Sequence, residues 1–123
     1  MRFLKHADGV TFAEDGLELA FISLADNSPL KNSIRKAIKD LKENVFCGEQ
    51  IKKERIPKEY IKKYKINNLW WYPLSDAWRL VYSVVTPSNI EILAVIIDYF
   101  NHKDYEKKFT IIKIMKRNSG INS

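Results

Sequence analysis

One arginine interrupts the apolar run "AWRLVYSVV" at Arg79, and His102 and Tyr105 follow the next apolar run in "NHKDY". A guanidinium stays charged near neutrality and matches a phosphate with a planar fork. A histidine titrates near neutrality and can act as a general acid or base. Upstream, "IKKERIPKEYIKKYK" at residues 51 to 65 sets seven cations against Glu54 and Glu59, with Tyr60 and Tyr64 interleaved. Cations release counterions from a phosphate backbone, and rings accept the faces of unpaired bases. Lys52, Lys53, Arg55, Lys62 and Lys63 are therefore candidates to hold a nucleic-acid backbone. Each feature also has a plainer reading. The basic block is equally well a solvated lysine face. Arg79 could be a structural arginine paired with Asp98, His102 a strand cap, and Tyr105 a core residue of a terminal helix.

The elements that must position these groups follow from periodicity. "NSPLKNSIRKAIKDLKENVFCG" predicts a helix with Ser28 as N-cap, Pro29 at its first position and Gly48 as its stop. Leu30, Ile34, Ala37, Ile38, Leu41 and Val45 form one apolar stripe, with Lys31, Arg35, Lys39 and Lys42 facing away. Pro57 opens a second, short helix through Tyr64, closed by "KINN". Ahead of both, "LELAFISL" at 17 to 24 reads as a β-strand, and residues 1 to 13 carry no clear period. From Leu69 onward, "NLWWYPL", "AWRLVYSVV" and "IEILAVIIDYF" are rich in β-branched and aromatic residues and are separated by the turn-formers "SD" and "TPSN". They predict a three-stranded antiparallel meander whose last strand, apolar on both faces from Ile90 to Ile97, is central and doubly covered.

A symmetric hairpin at "TPSN" pairs Arg79 near Ile97, and the first turn sets it opposite Tyr72. Alternation then gives one face to Trp70, Tyr72, Arg79, Val81 and Ser83, and the other to Trp71, Trp78, Leu80, Tyr82 and Val84. The second set reads as core. Trp70 and Tyr72 either stack on bases or pack beneath a helix or partner. The fold class is α+β: a strand, a helical pair, the meander, and a short C-terminal element around "HKDYEKKF".

Composition narrows the field. With 123 residues and 46% hydrophobic content the chain makes one domain with a single core. No apolar stretch reaches the ~20 residues that span a bilayer, and "MRFLKHADGV" lacks a signal-peptide core, so the expectation is a cytoplasmic protein without membrane association. The single Cys47 supports neither an internal disulfide nor a Cys-rich metal site and reads as a spectator thiol. The net charge of +6 is uneven: residues 1–27 carry −3, 51–65 carry +5 and 101–123 carry +4. The basic segments would attract RNA or an acidic protein segment. Ile112 and Ile114, with Thr110, alternate in the tail and could add to a sheet edge.

With these residues assembled, the chain resembles the RelE/ParE toxin superfamily over about residues 28 to 109. "AWRLVYSVV" is similar to that family's strand carrying the Arg-Leu-Val-Tyr motif. It stands in the family's order, after a proline-started helix, a glycine and basic stretch, and the "NLWWYPL" strand, and before "NHKDYEKKF". The resemblance implies a small RelE-like domain and, for the RelE branch, metal-independent cleavage of messenger RNA on the ribosome with no cofactor. It implies a cognate antitoxin, and a homodimer or toxin–antitoxin hetero-oligomer as the assembly. Residue by residue, it implies that Arg79 contacts the scissile phosphate, that His102 approximates the C-terminal histidine of the YoeB-like branch, that Tyr105 matches the RelE tyrosine, and that Glu49 corresponds to a general-base glutamate. Two lysines of the RelE pattern are replaced by Trp70 and Tyr72. A ParE-like inhibitor that binds a protein such as gyrase, and a RelE-fold binding module without catalysis, are the alternatives.

Overall fold

The computed structural model describes residues 6–88, 90–104 and 109. The chain runs β1 (Gly9–Phe12), α1 (Asp15–Ile22), α2 (Pro29–Glu43), β2 (Glu49–Gln50), α3 (Lys58–Tyr64), β3 (Trp70–Pro73), β4 (Arg79–Ser88) and β5 (Glu91–Phe100), with a 3₁₀ turn at Lys53–Arg55 ahead of α3. The strands form one five-stranded sheet ordered β1-β5-β4-β3-β2. The meander β3–β4–β5 is antiparallel, and β1 joins β5 in parallel, so the sheet is mixed. The fold is α+β.

Each face of the sheet is covered by a different part of the chain. On one, the predicted stripe of α2 buries Ile34, Ala37 and Leu41, with Val45 beyond the helix end, against Leu80, Tyr82, Ala94 and Ile96. The other carries Leu69, Val81, Ile97 and Phe100 beneath Ile51, Ile56, Tyr60 and Ile66, so residues 51 to 66 and α3 close that side. β5 is therefore interior and doubly covered, as its two-sided apolar pattern requires.

α2 starts as the sequence predicts: Pro29 is in the first turn and Ser28 Oγ accepts the Lys31 N–H at 3.3 Å. It ends at Glu43 rather than running to Gly48. Gly48 instead answers a close approach: a Cβ there would lie 2.6 Å from the Trp71 carbonyl oxygen and 2.8 Å from Tyr82 Oη. The loop is pinned at that point, because Tyr82 Oη accepts the Gly48 N–H at 3.0 Å and donates to the Val45 carbonyl at 2.8 Å.

The predicted strand at 17–24 is largely helix α1. Leu17, Phe21 and Leu24 recur at helical spacing and pack on the α2 side of the core. Asp15 and Glu18 stand in the first turn, where a helix dipole favours acids. Its C-terminal end is held from outside: the buried Lys31 donates to the Ile22 and Leu24 carbonyls, both at 2.9 Å, and to Asp26 at 3.2 Å. The N-terminal strand lies earlier, at β1, in the stretch without a readable period.

Register differs from the symmetric expectation in both hairpins. Ser88 pairs with Glu91, so β4 continues through Thr86 and Pro87 and the turn is shorter than "TPSN". A second shift lies between Val81, which pairs with Asp98, and Tyr82, which pairs with Ile96, leaving Ile97 as a bulged residue. Arg79 thus pairs with Phe100 rather than near Ile97, and across the first turn with Pro73 rather than Tyr72. A one-residue slip exchanges faces. Trp70 and Tyr72 share the α2 side with Leu80 and Tyr82, and Trp71 shares the opposite side with Arg79 and Val81.

Candidate nucleic-acid interface

Arg79 is the first residue of β4, and its guanidinium carbon lies 4.1 Å from the centre of the Trp71 ring. A cation this close to an indole face is attracted by the ring's quadrupole. Trp71 is flanked across the sheet by Val81 on β4 and by Glu49 on β2. Directly paired residues project to the same side, so Glu49, Trp71, Val81 and Arg79 share the side of the sheet that residues 51 to 66 and α3 close; Val81 is fully buried there, Trp71 and Arg79 are half-buried at its margin, and Glu49 is exposed. Strand spacing and rise place the Cα atoms of Glu49 and Arg79 about 12 Å apart, within joint reach of two long side chains.

The basic residues border this face. Lys52, Lys53 and Arg55 are exposed where the chain leaves β2, and Lys62 and Lys63 are exposed on α3. Lys63 is already engaged: its ammonium is 2.5 Å from a Glu14 carboxylate oxygen and 5.5 Å from the Tyr64 ring centre. Hydrogen bonds from Lys63 and Tyr64 hold the Glu14 carboxyl below its usual range. His102 is exposed, two residues after Phe100, the partner of Arg79, and therefore stands at the same end of the sheet. Tyr105 and the alternating tail residues Thr110, Ile112 and Ile114 lie outside the described residues.

Several groups belong elsewhere. Trp70 packs on Phe46 and Tyr82, at ring separations of 5.4 and 6.2 Å. Tyr72 donates to Asp40 on α2 and accepts from Lys36 at 3.3 Å. Both are packing residues beneath α2. The Cys47 thiol is pushed up by burial, which suppresses the reactive thiolate. Among the described residues no cluster of His, Cys, Asp and Glu side chains is placed to hold a metal ion. No helix among them is long and apolar enough to cross a membrane.

A cleft of about 230 Å³ opens between α1, α3 and β5, where Glu14, Glu59 and Asp98 outnumber Lys63. Its charge suits a phosphate poorly, and it is separate from the Arg79–Trp71 stack. The bulge at Ile97 turns Asp98 toward α3, and there Tyr60 donates to Asp98 Oδ2 at 2.9 Å. Burial, then the Asp98 charge, pushes the Tyr60 phenol well above its usual range, and burial does the same to Tyr82. Raised phenols favour the fold while protonated: their contribution is intact below the unfolded pKa of about 10 and lost as pH rises beyond it. In an alkaline titration followed by phenolate absorbance and circular dichroism, these two of the six tyrosines should ionise only as the chain unfolds. Complete ionisation near pH 10 with an intact fold would contradict that.

The sequence singled out Arg79 but not Trp71, which it assigned to core. The missing information was the one-residue register of the first hairpin. That turn contains Asp76 and Ala77 at φ of 54° and 62° and a Leu74 N–H to Trp78 carbonyl bond of 2.8 Å, geometry that "PLSDAW" does not announce. No protein-family model, curated protein or solved structure matches the chain.

Proposed function

We propose that this domain is a RelE-like toxin of a type II toxin–antitoxin pair, acting as a metal-independent endoribonuclease on messenger RNA at the ribosome. The observation that carries the reading is the Arg79 guanidinium stacked on Trp71, on a sheet face shared with Glu49 and bordered by Lys52, Lys53 and Arg55. RNA supplies its own nucleophile, the 2′-hydroxyl. Glu49 takes its proton as the oxygen attacks the adjacent phosphorus, Arg79 balances the charge gathering on the phosphorane oxygens, and His102 protonates the departing 5′-oxygen. The products are a 2′,3′-cyclic phosphate and a 5′-hydroxyl. Lys52, Lys53, Arg55 and Lys62 hold the flanking backbone, and the same positive surface attracts an acidic antitoxin segment.

Induced expression in a host without the antitoxin is the test. Growth should arrest, and messages should acquire new 5′-hydroxyl ends at codon-spaced positions. Normal growth on abundant, folded wild-type protein would count against the reading. One observation favours a protein-binding inhibitor instead: α1 is acidic and exposes Leu19 at 60% and Ile22 at 55%, a surface unsuited to RNA. Growth arrest with intact messages would select that alternative.

A further inference from the structure

We propose that Trp71 is a positioning residue for Arg79, holding its guanidinium against the indole ring. The inference rests on the nuclease reading for the reaction it serves, while the contact itself is independent of that reading. Arg79 opens β4 and pairs with Pro73 and Phe100. The ring it covers belongs to the residue paired with Val81, two positions further along the strand and one strand nearer β2. The stack therefore narrows the Arg79 rotamers to those that reach the Trp71 ring.

Trp71 is itself fixed well enough to act as a template. It packs on the cluster containing Leu69 and Val81, and its backbone is braced where the chain passes at Gly48. Among aromatic side chains indole offers a cation the strongest face, and a guanidinium can stack flat on it. A preorganised donor needs no reorientation when charge develops on the phosphorane, which is the basis of its catalytic value. Trp71 acts through Arg79 and not by stacking on a base, because the guanidinium covers a face of its ring.

The contact and its consequence are measured separately. In nuclear magnetic resonance spectra of the full chain, the Arg79 side-chain signals, assigned by their disappearance in Arg79→Lys, should be displaced upfield by the indole ring current. The displacement should vanish in Trp71→Leu and persist in Trp71→Phe. In single-turnover cleavage on ribosomes programmed with a short message, Trp71→Leu should be slowed about tenfold with affinity nearly unchanged, and Trp71→Phe should recover most of that loss. Undisplaced Arg79 signals in the wild type overturn the proposal. So does Trp71→Leu cleaving at the wild-type rate. If Trp71→Leu does not fold, Trp71→Phe decides, since loss of the displacement with an undiminished rate overturns the proposal equally. A wild type that shows the displacement but does not cleave overturns the nuclease reading, and with it the catalytic half of the role assigned to Trp71.

Discussion

Gly48→Ala should lower the melting temperature by about 10 °C. A Cβ at this position meets the Trp71 carbonyl oxygen at 2.6 Å, Tyr82 Oη at 2.8 Å and Tyr82 Cε1 at 2.9 Å. None of these can retreat cheaply. The carbonyl belongs to β3 in the sheet, and Tyr82 is fully buried, with its hydroxyl bonded to Val45. Overpacking of this kind costs ~1–3 kcal/mol, and straining the Gly48 N–H to Tyr82 bond adds about 1 kcal/mol. The total is a large share of the 5–15 kcal/mol that holds a typical domain folded, and about 3–5 °C is lost per kcal/mol at this chain length. Gly16 is the matched control. It lies in α1, and a Cβ there meets nothing within 4 Å. Gly16→Ala should instead gain about 0.5–1 kcal/mol from helix propensity. Thermal melts of both variants give opposite signs if the account is right, and Gly48→Ala melting within 2 °C of wild type would refute it. The mutation also bears on the site, since Gly48 precedes the strand that sets Glu49 beside Trp71.

What the sequence made legible divides along the range of the interactions involved. α2 was readable because its cap, its proline and its apolar stripe are all written within eighteen residues. The strands of the meander were readable as strands from their β-branched and aromatic content. α1 was not, because "LELAFISL" satisfies either element. What favours the helix is the packing of Leu17, Phe21 and Leu24 on a distant sheet and the capping of its carbonyls by Lys31. β2, at two residues, is too short to carry a period. Within the site, Arg79 was conspicuous as a charge in an apolar strand, but its neighbours depend on register. A compact turn and a one-residue slip in the first hairpin moved Trp71 onto its face and Trp70 and Tyr72 off it, and the bulge at Ile97 set Phe100 rather than Ile97 opposite Arg79. The pairing of Lys63 with Glu14 joins residues with no local relation, so no pattern in the basic block could show that one of its lysines is taken.

Arg79→Ala should slow single-turnover cleavage by about 10²–10³, the usual consequence of removing one preorganised charge contact from a transition state. Ground-state binding should suffer far less, because Lys52, Lys53, Arg55 and Lys62 keep the surface positive. Losing a single phosphate contact reduces the salt slope of log affinity by about 0.7 for single-stranded RNA. Arg79→Lys separates charge from shape. It restores the cation, and with it most of the affinity, but an ammonium has neither the planar fork nor the flat stack on Trp71, so the rate should remain well below wild type. Glu49→Gln removes the base from the same face and should cost ~10²–10⁴ in rate with binding retained or slightly improved, since a negative charge has been removed. The structural alternative for Arg79 makes a different forecast. If the residue serves mainly to tie the sheet together, Arg79→Ala will lower the melting temperature by several degrees, Arg79→Lys will restore most of that loss, and cleavage per folded molecule will match wild type in both. Rates normalised to the folded fraction, measured beside melting curves for the same preparations, distinguish the two. A stable Arg79→Ala that still cleaves at the wild-type rate would remove the arginine from the chemistry and, with it, the principal support for reading this face as a nuclease site.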